Sequence, residues 1–342
     1  MHPLSQAIYD DVAAVARTID FAQLSGKQIL ITGGSGIVGT YFLASLARGL
    51  KERSLDAKVT AVVQSEPDLY WRELLPAGSV VIKGDLSENA FLERLPKADL
   101  IIHAAGYAQP GRFMADPVKT LKLNTVATFA LCEKLLPGGT FLFVSSSELY
   151  SGSKETPYRE ESIGVTNTTH PRSCYIEGKR SGEAISFAYK SKGMNTKAAR
   201  LSLVYGPGTK KGDQRVHNSI IEKGLRGAVS LMDAGLAKRT YCYVTDAVES
   251  MWQVALLGKE FVYNVGGESK TTIAELAQKV AAGLKVSITI PEAGPGLAGA
   301  PEDVSLDLSR IKAEFGKTQF VPFDEGLRRT IAWQKILYGE EA

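Results

Sequence analysis

A chain that reads Ile29-Leu30-Ile31-Thr32-Gly33-Gly34-Ser35-Gly36-Ile37-Val38-Gly39 has few folds open to it. The short apolar run at 29–31 predicts a buried strand, and the apolar stretch at 41–50 predicts a helix. Between them stand three glycines, Gly33, Gly36 and Gly39, at the spacing GxxGxxG. A glycine-rich turn lets backbone N–H groups approach a pyrophosphate, and the helix N-terminus adds a favourable dipole. The spacing differs by one residue from the GxGxxG of long-chain dehydrogenases. A tight βα turn that binds nothing is the alternative, and the strand before and helix after favour the dinucleotide.

The rest of the chain repeats this alternation. Strands are predicted at 58–63, 80–82, 100–102, 140–144 and 197–203. Helices are predicted at 117–136 and 175–192, and residues 151–172 form a loop. Strands alternating with helices predict an α/β fold, a Rossmann-type doubly wound parallel sheet. A first helix at 5–19 carries Ile8, Val12, Val15 and Ile19 at helical spacing and is expected to pack on the outside of this domain. After Tyr205 the pattern loosens. Residues 206–213 read as a mobile lid. Helices are expected at 218–226, 246–257, 273–284, 309–315 and 324–338, strands at 240–244 and 286–290, and a Pro/Gly loop at 291–302. The expected division is 1–204 for the nucleotide domain, with 240–265 returning to it, and 205–342 for a smaller C-terminal α/β substrate-binding domain.

Composition narrows the function classes. A net charge of +3 over 342 residues argues against a nucleic-acid or anionic-membrane partner. Cys132, Cys174 and Cys242 form no paired motif, which predicts neither a disulfide framework nor a metal site and suits a reducing cytoplasm. No apolar run approaches the roughly 20 residues of a bilayer span.

The candidate cofactor residues follow the strand ends. Gly33, Gly36, Ile37, Val38 and Gly39 form the phosphate turn. Gln64, at the end of the second strand, can bond a ribose hydroxyl without charge, and no Arg stands beside it to meet a 2′-phosphate, which favours NAD over NADP. Asp85, with Leu86, is placed to accept from the adenine amino group. Ala104, Ala105 and Gly106 let a cofactor lie against the backbone, and the neighbouring His103 is read as a companion to the cofactor rather than a catalyst.

The chemistry is expected where a strand ends in Ser145-Ser146-Ser147-Glu148 and a helix opens with Tyr175-Ile176-Glu177-Gly178-Lys179. Positions i and i+4 share a helix face. An ammonium there lowers the pKa of the Tyr175 phenol from about 10 towards neutrality, and a phenolate can remove a proton from an alcohol while its hydride leaves. Ser146 could hold the same hydroxyl.

In these stretches the chain resembles an extended short-chain dehydrogenase/reductase of the nucleotide-sugar epimerase/dehydratase family, and within it the UDP-glucuronate decarboxylases. Residues 113–125, 145–150, 171–180 and 238–246 carry the resemblance, which spans roughly 27–335. It implies a catalytic Ser146, a base Tyr175 and its partner Lys179, with Ser147, Glu148 and Arg239 at the decarboxylases' other active-site positions, and Asn124 beside the cofactor. It implies a tightly bound NAD that is recycled, a nucleotide-diphosphate sugar as substrate, oxidation at sugar C4 and loss of CO2 from a uronate. It also implies a homodimer formed through the helices at 117–136 and 175–192. Ser147 stands where 4,6-dehydratases carry Asp. Leu203 stands where the family usually has a substrate-holding Asn, and residues 301–305 lack a diphosphate-pairing Arg. Lys210, Lys211, Arg215 and Arg239 are the candidate substitutes. A nucleotide-sugar 4-epimerase or 4,6-dehydratase, and a non-catalytic NAD-binding protein, are the competing expectations.

Overall fold

The computed structural model describes residues 1–292 and 304–339. Its strands run in chain order β1 Gln28–Thr32, β2 Lys58–Val63, β3 Val80–Lys83, β4 Ala98–His103, β5 Leu135–Ser146, β6 Asn195–Leu201, β7 Leu203–Tyr205, β8 Ala228–Ser230, β9 Lys238–Tyr243, β10 Val262–Val265, β11 Ser269–Thr272 and β12 Ser287–Thr289. Seven of them form one parallel sheet in the order β10-β6-β5-β4-β1-β2-β3. The strand order reverses between β1 and β4, so the carboxyl ends of these two strands open a crevice, the usual ligand position in such sheets. A three-stranded sheet, β11-β9-β7, and the pair β12-β8 lie in the later part of the chain.

The apolar strands are explained by burial on both faces. Ile29, Ile31, Leu100, Ile102, Leu142 and Val144 feed one core. The residues between them, Leu30, Ile101, Phe141 and Phe143, feed a second core on the opposite face. Helix Val244–Leu257 packs on the first face, with Trp252 edge-on to Phe42 and donating to Ser45 Oγ at 2.9 Å.

Three expected elements are divided. The first helix is two, Pro3–Asp11 and Ala13–Thr18, because Arg48 donates to Tyr9 O at 2.7 Å and takes the carbonyl that the amide of Ala13 would use. Its apolar stripe is nonetheless core: Ile8, Val12, Val15 and Ile19 are all buried. The helix expected at 117–136 breaks at Thr125 into Pro117–Asn124 and Val126–Glu133, and β5 begins at Leu135. There the side chains of Asn124, Thr125 and Thr128 bond the carbonyls of Thr120, Leu121 and Asn124, competing with the regular ladder. The strand expected at 197–203 ends at Leu201. Ser202 donates to Val265 O at 2.9 Å, and the backbone then leaves the large sheet for β9 as β7. Most of the expected 291–302 loop lies outside the described residues.

The first helix joins distant parts of the chain. The carboxylate of Asp11, buried in the interior, accepts from Tyr41 and Tyr243 hydroxyls, both at 2.7 Å, and from Arg329 at 2.7 Å. Arg329 belongs to the last helix, Phe323–Tyr338. Among the described residues no helix is long and apolar enough to cross a membrane.

Candidate active site

The glycine turn builds a cradle. Gly33 has φ +71°, and a Cβ there would lie 2.7 Å from the carbonyl of Ala104 and the amide of Ala105. A side chain at Gly39 would meet Gly33 O at 2.3 Å. Gly39 therefore acts by letting helix Ile37–Glu52 start against the turn, and neither it nor Val38 lines the cleft, contrary to the sequence expectation.

The cleft above the turn holds about 730 Å³. Of the expected cofactor residues, Gly33, Gly36, Ile37, Gln64, Asp85, Leu86, Ala104, Ala105 and Gly106 line it. Gln64 also donates to the Tyr107 hydroxyl at 3.3 Å. Asp85 is already engaged: Oδ1 accepts from Ser87 N and Oγ, and Oδ2 pairs with Lys119. These contacts hold its carboxyl below the usual range despite some burial, so its bond to an adenine amino group would compete with an ion pair. The segment 208–215 forms the opposite wall. Thr209 is buried and Gly212 N donates to the Tyr338 hydroxyl at 3.1 Å. Arg215 is paired with Asp213 at 2.6 Å.

Asn124 does not line the cleft. It is buried, donates to Thr120 O at 2.8 Å and has its Oδ1 without a partner. A Cβ built on Gly106 would lie 4.0 Å from that oxygen and 3.7 Å from Lys179 Nζ. The inner end of the cleft thus meets the Tyr–Lys helix, Ser173–Lys190, across a glycine. Volume, glycine-lined walls, a helix N-terminus and an orphaned acceptor fit an extended dinucleotide. His103 is buried and fixed between Thr32 Oγ1 at 2.8 Å and Leu123 O at 2.9 Å. Burial pulls its pKa down to about 3, so the ring is neutral and holds strand to helix.

Ser146, Tyr175 and Lys179 come together at the end of β5. Ser146 Oγ accepts from Glu148 N at 3.2 Å and lies close enough to the Tyr175 hydroxyl to favour its phenolate. Lys179 Nζ donates to Val144 O at 2.7 Å and lies 5.8 Å from the Tyr175 ring centroid. The expected lowering of the phenol by Lys179 is not found. Burial pushes Tyr175 up to about 12, against the opposing influence of Ser146. Burial also pulls Lys179 down to about 7, so the ammonium is itself destabilised. Ser147 and Glu148 open a short 3₁₀ turn directly after Ser146, both half-buried. Arg239 sits on β9, where it donates to Lys238 O at 2.7 Å and bears on Tyr241 rather than on Tyr175.

Two residues of this site carry no role in the sequence expectation. Phe113 stacks on Tyr175, centroids 4.8 Å apart and planes 13° apart, and Arg172 pairs with Glu148. Both lie inside the stretches that carried the resemblance, but only the fold brings them to the base.

The profile of the NAD dependent epimerase/dehydratase family matches residues 29–266. The chain belongs to that family. It is 30% identical over 313 residues to UDP-glucuronic acid decarboxylase 1 of Danio rerio, covering 90% of this chain and 72% of that protein. It is 31% identical over 310 residues to UDP-glucuronic acid decarboxylase 6 of Arabidopsis thaliana, covering 89% and 87%. Among solved structures it is similar to a dTDP-glucose 4,6-dehydratase from Streptomyces venezuelae, with TM-score 0.78, 22% identity and coverage of 91% and 98%. It is likewise similar to a UDP-glucose 4-epimerase from Thermotoga maritima, with TM-score 0.76, 24% identity and coverage of 91% and 99%. These two share the Rossmann-type fold.

Proposed function

We propose that the protein is an NAD-dependent enzyme that oxidises a nucleotide sugar at C4 and decarboxylates a nucleotide uronate. The observation that carries this is the grouping of Ser146, Tyr175 and Lys179 at the end of β5, with Lys179 directly behind Gly106 in the wall of a dinucleotide-sized cleft and Ser147 and Glu148 next in sequence. The relatives named as UDP-glucuronic acid decarboxylases support the choice of substrate.

NAD held by the glycine turn, Gln64 and Ala104–Gly106 would supply an acceptor for the C4 hydride, and a C4 ketone makes a C5 carboxylate a β-keto acid able to lose CO2. Tyr175 takes the proton of the C4 hydroxyl at its phenolic oxygen. Ser146 Oγ holds the same hydroxyl, sharing it with the phenol. Lys179 holds the helix face to the strand through Val144 O and, when protonated, favours the phenolate. Glu148 orients the sugar or a proton-donating water. Arg239, with Lys210, Lys211 and Arg215, meets the carboxylate or diphosphate from the later part of the chain. In this division residues 1–204 with 240–265 hold the cofactor, and 205–342 supply the substrate side.

The exposed apolar side chains Val118, Leu121, Phe129 and Phe187 on the helices Pro117–Asn124, Val126–Glu133 and Ser173–Lys190 support a homodimer through those helices. A cytoplasmic enzyme is the corresponding setting. The test is incubation with UDP-glucuronate and other nucleotide uronates, read by mass spectrometry. CO2 and a nucleotide pentose are expected. Turnover of neutral hexose nucleotides alone, to the C4 epimer at unchanged mass or with water lost, moves the assignment to epimerase or dehydratase.

A further inference from the structure

Two side-chain contacts meet at Arg172, one turn ahead of Tyr175, and a third carries them on to the phenol ring. Its guanidinium pairs with Glu148. Its Cζ lies 5.7 Å from the centroid of the Phe113 ring. That ring lies flat against Tyr175. The backbone reinforces the link, since Arg172 O accepts the amides of Tyr175 at 3.1 Å and Ile176 at 3.2 Å. Glu148 in turn holds Ser146 through its own amide. Arg172 therefore links Tyr175 on one side to Glu148 and Ser146 on the other, and Phe113 fills the gap between guanidinium and phenol.

The arginine is not placed for its own satisfaction. Its Nε is buried and has no hydrogen-bond partner among the described residues. A buried donor left unmade is costly, so the geometry favours the carboxylate and the ring over the guanidinium's full complement of bonds.

The charged groups around the phenol are few. From the strand end comes Glu148; from its own helix come Arg172 and Lys179. On the helix that carries Phe113, Arg112 lies over Tyr107, and on helix Pro117–Asn124, Lys119 is paired with Asp85. Glu148 and Arg172 are the opposed pair: the carboxylate disfavours a phenolate and the guanidinium favours it.

We infer that Arg172 is a positioning residue that clamps the Glu148 carboxylate on the turn following Ser146, offsets its charge at the Tyr175 phenol and braces the stacked Phe113 ring. The inference rests on the proposed role of Tyr175 as the base, but its test needs no sugar. The NAD-loaded protein is labelled with 13C at the tyrosine Cζ, and the Tyr175 signal is assigned by its loss in Tyr175→Phe. The tyrosinate fraction of Tyr175 is then read at one fixed alkaline pH. Arg172→Met lowers that fraction about three- to tenfold, as expected for removing a nearby cation that is partly exposed. Glu148→Gln raises it. The double variant returns towards the parent, because the charge to be offset is gone, and Arg172→Lys is intermediate. An Arg172→Met fraction equal to the parent's, or a double variant no nearer the parent than Arg172→Met alone, overturns the inference. If Arg172→Met does not fold, Glu148→Gln decides: an unchanged fraction there overturns it equally. Absence of CO2 from uronates would sink the decarboxylase reading and leave this result standing.

Discussion

Replacing Lys179 by Met isolates the cost of burying an ammonium at the site. Lys179 is 5% exposed, and its Nζ donates to the neutral Val144 O. Burial pulls its pKa down to about 7. The unfolded chain keeps a lysine protonated to about pH 10.4. Between these values the unfolded state binds one more proton than the folded state, so stability rises with pH by up to about 1.4 kcal/mol per unit. Seen from high pH, that stability is lost progressively as pH falls through the window, reaching on the order of 5 kcal/mol near pH 7. Met has nothing to titrate. It leaves Val144 O without its donor, a penalty of about 1–3 kcal/mol that does not change with pH. The advantage of Lys179→Met over the parent is therefore greatest at about pH 7 and shrinks by roughly 1 kcal/mol per unit towards pH 9. Urea unfolding followed by tryptophan fluorescence, at several pH values for both proteins, measures that difference. A difference that stays flat over this range refutes the argument, because Lys179 would then be titrating as an ordinary exposed lysine.

Tyr175→Phe keeps the ring stacked on Phe113 and removes the acid–base hydroxyl. Turnover of the active nucleotide sugar is expected to fall by about 10²–10⁴-fold, with NAD binding by calorimetry little changed. Gly39→Ala forces a methyl against Gly33 O, and a loss of about 3 kcal/mol in thermal or urea stability, with weakened NAD binding, is expected. Phe129→Glu together with Phe187→Glu places charges among the exposed apolar residues of the proposed helix interface. Light scattering at micromolar concentration is expected to give a dimer for the parent and a monomer for this variant.

The readable parts of this chain were the local ones. Strand, glycine spacing and helix follow one another within a dozen residues, so the turn at Gly33 and its direction across the sheet were legible without any distant partner. The Tyr175–Lys179 spacing correctly put both on one face, but spacing reports proximity and not solvation. The helix face lies under β5, and there burial outweighs the attraction between the two groups. Arg172 and Phe113 escaped notice for the opposite reason. Their types are ordinary at a helix start and in an apolar run, and their roles come from contacts across the fold, with Glu148 24 positions away from Arg172. Asp85 was legible as a cleft residue, but its engagement by Lys119, 34 positions on, was not. The break at Thr125 depended on side-chain bonds to preceding carbonyls that hydrophobic periodicity does not register.

Asp11 ties residue 11 to residue 329, a separation of 318 positions. On the ribosome helix Pro3–Asp11 emerges 318 positions ahead of the cation it meets. The carboxylate must stay hydrated while the residues between them are made, because withdrawing an unpaired charge from water costs several kcal/mol. Helix Pro3–Asp11 is therefore a late joiner: its carboxylate gains its cation only when helix Phe323–Tyr338 docks beside it. Truncation upstream of Arg329 would thus expose helix Pro3–Asp11, far in sequence from the cut, as the handle for chaperones and proteases.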